Sequence, residues 1–475
     1  MSNQKDLLFP LGGGNEIGAS SYLLQVNGKR VLIDAGLRLH GPRAFPDYAS
    51  LSQIGLMGLY ECDCVCITHA HLDHVGSLPA VYYETRSKSY DTPIYATRPS
   101  IDIASVLLND TVKIKRVRGE YVGDIEIHEF EKNLVQETVE AIQDVRFNNS
   151  FNAASGIKVT YFPAGHILGA AMILFEIDGF RALFTGDFCG DGQNTISGYR
   201  LPEKLPDIDL MVCESTYAYE KSDIDFRIEH EKFIEEIESA IVQGGKVLIP
   251  AFAVGRSQEV IMLLRQAKEF GRISVEFPVY TDGMVNQVCE IYDKHRSFLS
   301  KDVANIKGNL FFSNELGIQK SLYDFRKPGT ADRLRKSPPC CIIASSGMLA
   351  DGSRSSDYAK VLIGDPRNKI LFTGYLDEES PGHQLLLQSG RKLHKWKECN
   401  VAAQIVPYRL SAHAPLEQIT KLVERVNPRQ VVFIHGDADK SENQDNFFSN
   451  SNFFRWGKCN IRPHISRNQD PIYLG

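Results

Sequence analysis

His69, His71, Asp73 and His74 stand within six residues of one another in the stretch ITHAHLDHVG, residues 67–76. Three imidazoles and a carboxylate at this spacing suit metal chemistry better than a solvated loop. His69 and His71 can reach one ion, and Asp73 and His74 a second a few ångströms away. Neutral imidazole and carboxylate favour Zn2+ or another first-row divalent ion, Mn2+ included. Two more ligand candidates follow, His166 in FPAGHILGAA and Asp187 in LFTGDF. A carboxylate such as Asp187 can bridge two ions. Asp34, in LIDAG, reads as a carboxylate that orients ligands from behind; the plainer reading is a turn residue ahead of Ala-Gly.

These residues need elements that end on one rim. SYLLQV and KRVLI flank Asn27-Gly28, and MILFEI and FRALF flank Asp178-Gly179, so each pair reads as a hairpin. DCVCITHAH is a strand running into a polar loop, and SLPAVYYETRSK after it reads as a helix. GIKVTYFPAGH is a strand that carries His166. From about residue 209 the rhythm changes. DLMVCEST, KVLIPAFAV, ISVEFPVYTDG, CCIIASSGM and NKILFTGYL are short and nearly all apolar. Amphipathic stretches such as SQEVIMLLRQAKEF alternate with some of them, which predicts a parallel sheet covered on both faces. After about residue 398 come NVAAQIVPYRLSAHA, a helix in PLEQITKLVERVN, and QVVFIHGD.

Composition sets wider bounds. The chain has 475 residues, 43% hydrophobic and 24% charged, with a formal net charge of -6. That is ordinary globular composition, and any surface for nucleic acid must be local. No apolar run approaches the roughly 18 residues of a membrane helix, and MSNQKDLLFP has no leader pattern, so a cytoplasmic protein is expected. Ten cysteines show no disulfide framework. Cys62, Cys64 and Cys66, at alternate positions, read as core packing on one strand face.

LIDAG, THAHLDHVG, PAGHILGA and FTGDF, in that order, resemble the motifs of the metallo-β-lactamase superfamily. The resemblance implies an αββα sandwich with two metals on one rim. VCESTYA with Glu214, YRLSAHAP with His413 and VVFIHGD with His435 look like the further motifs of its β-CASP nuclease branch. PAFAVGRSQEVIMLL and ASSGMLADG look like segments of the RNA-processing members. The expected fold is therefore α/β, a metallo-β-lactamase αββα sandwich with an inserted β-CASP α/β domain. The first domain would span 1–208 and 399–475, and the insert 209–398.

The same resemblance distributes the roles. His69, His71 and His166 would hold one ion; Asp73, His74 and His435 would hold the other; Asp187 would bridge two Zn2+. Two cations neutralise a phosphodiester and lower the pKa of a shared water. His413 is the candidate general acid for the leaving 3′-oxygen, oriented and kept charged by Glu214. Asp73, Glu214 and His413 make the catalytic set. Arg256, at a strand-to-helix turn, and Ser345, Ser346 and Gly347 are candidates to hold substrate phosphates, as are the basic runs 113–119 and 391–397. The expected activity is a metal-dependent ribonuclease acting on single-stranded RNA, with 5′-phosphate and 3′-hydroxyl products. His435 stands where DNA-repair members tend to have valine, which favours RNA over DNA. A DNA nuclease is the alternative, followed by a small-molecule metallo-hydrolase and an inactive scaffold subunit. A second copy of the chain or a separate subunit is an expected partner. His383 in LDEESPGHQLL matches no family motif and receives no role; His40, His128, His230, His295 and His394 also match none.

Overall fold

The computed structural model describes residues 5–38, 43–87, 92–118, 132–218, 226–388, 395–436 and 461–474. The basic run 391–397 falls largely outside them, as do the side chains of 113–119 and His40, His128 and His394. The chain forms two compact units. One comprises Met1–Gly192, Gly198–Ser222 and His413–Gly475; the other comprises Gln193–Ser197 and Asp223–Ala412.

The first unit holds two seven-stranded sheets. In the first sheet the order is Ile472–Tyr473, Leu7–Gly12, Ser21–Val26, Lys29–Ile33, Cys64–Cys66, Ile94–Thr97 and Ile142–Val145. In the second it is Arg462–Ile465, Gln430–Ile434, Leu210–Glu214, Phe180–Phe184, Ala171–Ile177, Ile157–Pro163 and Ser150–Ala154. Both expected hairpins are present: Val26 pairs with Lys29 and Ile177 with Phe180. Asn27 and Gly28, and Asp178 and Gly179, all take positive φ, as a two-residue hairpin turn of right-handed twist demands. The sheets share one core. Leu8, Tyr22, Cys64 and Cys66 from the first meet Val159, Tyr161, Phe175 and Phe184 from the second. Leu8, Val159, Phe175 and Phe184 each contribute about 1.5–3 kcal/mol by leaving water. Tyr161 and Tyr95 are tied in by hydroxyls that donate to the carbonyls of Tyr95 and Ala153. Cys62 lies just ahead of the strand Cys64–Cys66 rather than within it, and all three thiols are buried. Burial pushes the Cys62 thiol up to about 12, which suits an inert packing residue.

Parallel pairing delivers the chemistry-bearing residues. Lys29–Ile33 runs parallel to Cys64–Cys66 with Ile33 opposite Cys66. Asp34 and the segment from Thr68 to His74 therefore emerge side by side. Phe180–Phe184, Leu210–Glu214 and Gln430–Ile434 are likewise parallel, with Phe184 opposite Val212 and Glu214 opposite Ile434. Asp187, Glu214 and His435 thus sit at or just beyond neighbouring carboxyl ends, where α/β sheets commonly place their sites.

The second unit carries a six-stranded sheet in the order Ile318–Lys320, Val279–Asp282, Cys341–Ala344, Val247–Pro250, Lys369–Phe372 and Gln404–Pro407, every pair parallel. Its core includes Leu248, Ile342, Tyr358, Ile370 and Phe372. These units divide the chain elsewhere than the expected 209–398. Leu210–Glu214 is hydrogen-bonded inside a sheet of the first unit, and Gln404–Pro407 pairs with Lys369–Phe372 in the second. No described helix is long and apolar enough to cross a membrane.

Candidate metal centre

The segment after Lys29–Ile33 zips onto the short helix Leu72–Val75. Ala35 N–H donates to the His74 carbonyl, Leu37 N–H to Leu72, and Ser20 N–H to Asp73. The approach is so close that a Cβ at Gly36 would lie 1.8 Å from the Asp73 oxygen, so only glycine fits. Asp34, at φ 61°, turns its carboxylate inward. Oδ1 accepts from Thr68 N–H and Oδ2 from the Thr68 hydroxyl, both at 2.7 Å. His74 Nδ1 lies 2.8 Å from the same Oδ2. One buried carboxylate thus holds both Thr68 and the His74 ring.

Three ring nitrogens converge. His69 Nε2 is 3.2 Å from His71 Nδ1, and His166 Nε2 is 3.1 Å from that same atom. Asp187 Oδ2 lies 3.5 Å from His69 Nε2, 3.7 Å from His166 Nε2 and 3.4 Å from His74 Nε2. A second group forms where His435 Nε2 is 3.2 Å and His74 Nε2 3.9 Å from Asp73 Oδ2. The ligand atoms of each group, His69–His71–His166–Asp187 and Asp73–His74–His435, lie within 4.8 Å of one another.

These donors fit divalent ions. Tetrahedral bonds of about 2.0–2.1 Å to nitrogen place the nitrogens about 3.3–3.4 Å apart, close to the separations here. Asp187 is buried, and its Oδ1 accepts no hydrogen bond although His435 Nδ1 is 3.4 Å away. A buried carboxylate oxygen without a donor needs a counter-charge. Asp34, Asp73, Asp187 and Glu214 lie together, and their ion pairs among the described residues are with histidines. Burial pulls the His69 and His71 imidazoles down, leaving neutral rings with a lone pair for an ion. Burial acts the same way on His74, but Asp187, Asp34 and Asp73 outweigh it and lift that imidazole. The field that lifts it is one that attracts a dication. Burial likewise pushes the Asp187 carboxyl up, while His435 and His74 hold it well below the usual carboxylate range.

A further pair flanks this cluster. His413 Nδ1 is 2.8 Å from Glu214 Oε2, and its ring centroid is 4.6 Å from that of His166. Glu214 ends its strand fully buried, and its Oε1 accepts the Phe188 N–H. A bridge between Tyr217 and Pro415 holds the His413 segment beside the end of that strand. His413 keeps 20% of its side chain exposed. Burial pulls its imidazole down, but the Glu214 and Asp187 carboxylates outweigh that and hold it at about 9.

The ten residues read as ligands, orienting groups or acid thus come together in one unit. The four phosphate candidates lie in the other. Arg256 is buried at the start of the helix Arg256–Glu269 and donates to Gln193 Oε1. Ser345, Ser346 and Gly347 follow the strand Cys341–Ala344, with Ser346 Oγ accepting the Ala350 N–H. Two threonines escaped the sequence reading. Thr68 Oγ1 is 3.1 Å from His69 Nδ1, and Thr216 Oγ1 touches both Glu214 and His435. Their only sequence signal was adjacency to a metal-type histidine and to a strand-ending carboxylate.

A sandwich of two mixed sheets with histidines and aspartates converging on one rim defines a metal-dependent hydrolase of the metallo-β-lactamase kind. Comparison with known proteins agrees. Residues 23–183 match the metallo-beta-lactamase superfamily domain, 257–385 the Beta-Casp domain, and 398–449 the Zn-dependent metallo-hydrolase RNA specificity domain. The chain is 28% identical to Integrator complex subunit 11 of Danio rerio, over 91% of its own length and 69% of that protein. It is 32% identical to transcription termination factor FttA of Methanothermobacter thermautotrophicus, over 91% of itself and 67% of that protein. It is 28% identical to an RNase J-like protein of Methanocaldococcus jannaschii, over 90% of itself and 92% of that protein. The chain belongs to the β-CASP branch of the metallo-β-lactamase superfamily.

Proposed function

We propose that this chain is a zinc-dependent ribonuclease that hydrolyses phosphodiester bonds of single-stranded RNA. The observation that carries the reading is the Glu214–His413 pair, 2.8 Å apart beside the ligand cluster. A hydrolase of activated esters has no need of such an acid, because its leaving group departs unprotonated. The match of residues 398–449 to an RNA specificity domain and the RNase J-like relative support RNA as the polymer.

His69, His71 and His166 would hold one ion, Asp73, His74 and His435 the other, and Asp187 would serve both. Two divalent ions bound there neutralise an anionic phosphodiester and acidify a water. Asp34 holds the His74 ring through Nδ1, which turns Nε2 toward the ligand cluster. Glu214 holds His413 through Nδ1, so proton donation to substrate would fall to Nε2. With its imidazole raised to about 9, His413 is charged near neutrality and can give its proton to the leaving 3′-oxygen. The ribose 2′-hydroxyl takes no part, so the products carry a 5′-phosphate and a 3′-hydroxyl.

The test is cleavage of end-labelled single-stranded RNA, single-stranded DNA and duplex RNA at matched low salt, since nucleic-acid affinity falls as salt rises. RNA is expected to be cut faster than DNA, and single strands faster than duplex. Efficient DNA cleavage with RNA left intact would overturn the substrate assignment. Cyclic-phosphate ends would reject the mechanism.

A further inference from the structure

Thr216 follows Glu214 by two residues and has no place in the ligand set or the acid pair. Its hydroxyl nonetheless touches both. Oγ1 lies 2.7 Å from Glu214 Oε2, 3.0 Å from His435 Nδ1 and 3.0 Å from the His435 carbonyl. A hydroxyl has one proton and two lone pairs. The proton has three candidate acceptors, Glu214 Oε2, the His435 carbonyl and a lone pair on His435 Nδ1, and the carboxylate is both the nearest and the strongest. Donation to Glu214 leaves lone pairs on Oγ1 facing His435 Nδ1. Two acceptors cannot bond, so Nδ1 must carry the hydrogen. The lone pair of a neutral His435 ring is then on Nε2, the nitrogen that faces Asp73 Oδ2 at 3.2 Å.

The position of His435 makes such a fixing contact necessary. Its backbone takes φ 51°, a conformation rare for a residue with a side chain and costly by about 1–3 kcal/mol. Gly13 accepts its N–H at 2.7 Å, and Ser215 Oγ donates to the preceding carbonyl at 2.8 Å. Those bonds hold the main chain; at the ring, Thr216 Oγ1 is the nearest polar atom to Nδ1, at 3.0 Å, ahead of Asp187 Oδ1 at 3.4 Å.

We infer that Thr216 is a positioning residue: its hydroxyl fixes the tautomer of His435, so that Nε2 serves the second ion, and joins that ligand to the carboxylate that orients His413. The inference rests on the two-ion reading above and adds a residue to it. Its wiring is His435 Nδ1–H to Thr216 Oγ1, and Thr216 Oγ1–H to Glu214 Oε2, which also accepts His413 Nδ1–H.

The test is zinc affinity, measured by chelator competition on the full chain and on Thr216→Val, Thr216→Ala and Thr216→Ser. Val and Ala are expected to weaken one of the two ions by about 10–100-fold, the usual cost of losing a partner behind a ligand, with the other ion held as in the parent. Ser keeps the hydroxyl and should restore parental affinity, which a merely space-filling threonine would not predict. Parental affinity for both ions in well-folded Val and Ala variants overturns the inference. The long-range 15N–1H imidazole spectrum of the zinc-loaded parent needs no variant that might misfold. It should show the His435 hydrogen on Nδ1, and a hydrogen on Nε2 overturns the inference equally. Cleavage by the parent protein is scored separately. A parent that binds two ions but leaves RNA intact refutes the proposed function while leaving the Thr216 result readable.

Discussion

Asp34 and Glu214 end strands in different sheets, and each anchors the same kind of hydrogen-bonded chain. On one side Thr68 lies between His69 Nδ1 and Asp34 Oδ2, which also holds His74. On the other Thr216 lies between His435 Nδ1 and Glu214 Oε2, which also holds His413. Both read as histidine, threonine, carboxylate, histidine. The terminal histidines differ. The side chain of His74 is 3% exposed, and its Nε2 is closed in by Asp187, Asp73 and Ser20. That of His413 is 20% exposed. A buried carboxylate backed by a threonine is thus a general device for aiming an imidazole. Under the proposed function the more buried ring serves as a ligand and the more exposed one as the acid.

The largest expected effect removes what both chains serve. Asp187 Oδ2 lies within 3.7 Å of His69, His74 and His166, and Oδ1 is 3.4 Å from His435. Asp187→Ala should lose most of both ions by elemental analysis, from about two per chain, and RNA cleavage should fall to background. Two ions retained in the variant would mean that each chain builds its site without a shared carboxylate.

Breaking only the Glu214 chain at its exposed end should be milder. His413→Ala is expected to keep its ions and cleave RNA about 10²–10⁴-fold more slowly. The deficit should shrink on a nitrophenyl phosphodiester, whose leaving group needs no proton. An equal deficit on both substrates would make His413 a ligand after all and erase the distinction from His74.

The ends of these chains were legible in the sequence and their middles were not. His69, His71, Asp73 and His74 declare themselves because such residues rarely cluster unless they bind something, and Asp34 and Asp187 because each closes an apolar run. Glu214, His413 and His435 are far apart in the chain, and only resemblance joined them; the register of Glu214 opposite Ile434 is what brings two of them together in space. Thr68 and Thr216 left no signal beyond their place beside a metal-type histidine and a strand-ending carboxylate, since threonine is ordinary at strand ends and its work here depends on a hydroxyl meeting a ring nitrogen. The hairpins and the parallel sheet followed from local pattern. The unit limits did not, because membership of Leu210–Glu214 and Gln404–Pro407 is decided by distant strands.

The Thr68 chain offers a finer comparison. Thr68 is buried, and a Cβ at Gly186 would come within 2.7 Å of its own Cβ, so the site is tightly packed around it. In the two-ion proposal its two terminal histidines serve different ions, whereas the Thr216 chain ends on one proposed ligand, His435, and on the proposed acid, His413. Thr68→Val preserves the shape and deletes the hydroxyl. It should weaken both ions, each by about 10–100-fold, where Thr216→Val weakens one. Chelator competition on the two variants side by side makes this comparison. A loss confined to a single ion in Thr68→Val would show that Asp34 holds His74 without help from the threonine.

The smallest effect belongs to a histidine with no buried carboxylate behind it. His383 lies on the helix Pro381–Gln388, its Nδ1 3.2 Å from the Glu378 carbonyl and its N–H donating to Ser380 Oγ. The hydrogen-bond partner of the His383 ring is thus a backbone carbonyl rather than a buried carboxylate. If carboxylate backing is what separates working histidines from ordinary ones, His383→Ala should change stability by no more than about 0.5 kcal/mol and leave zinc content and RNA cleavage at parental values. Paired with His413→Ala in one assay, it asks whether the surroundings of a histidine, rather than its presence beside a distinctive motif, predict its contribution. A cleavage loss in His383→Ala that approached that of His413→Ala would break the rule drawn from the two chains.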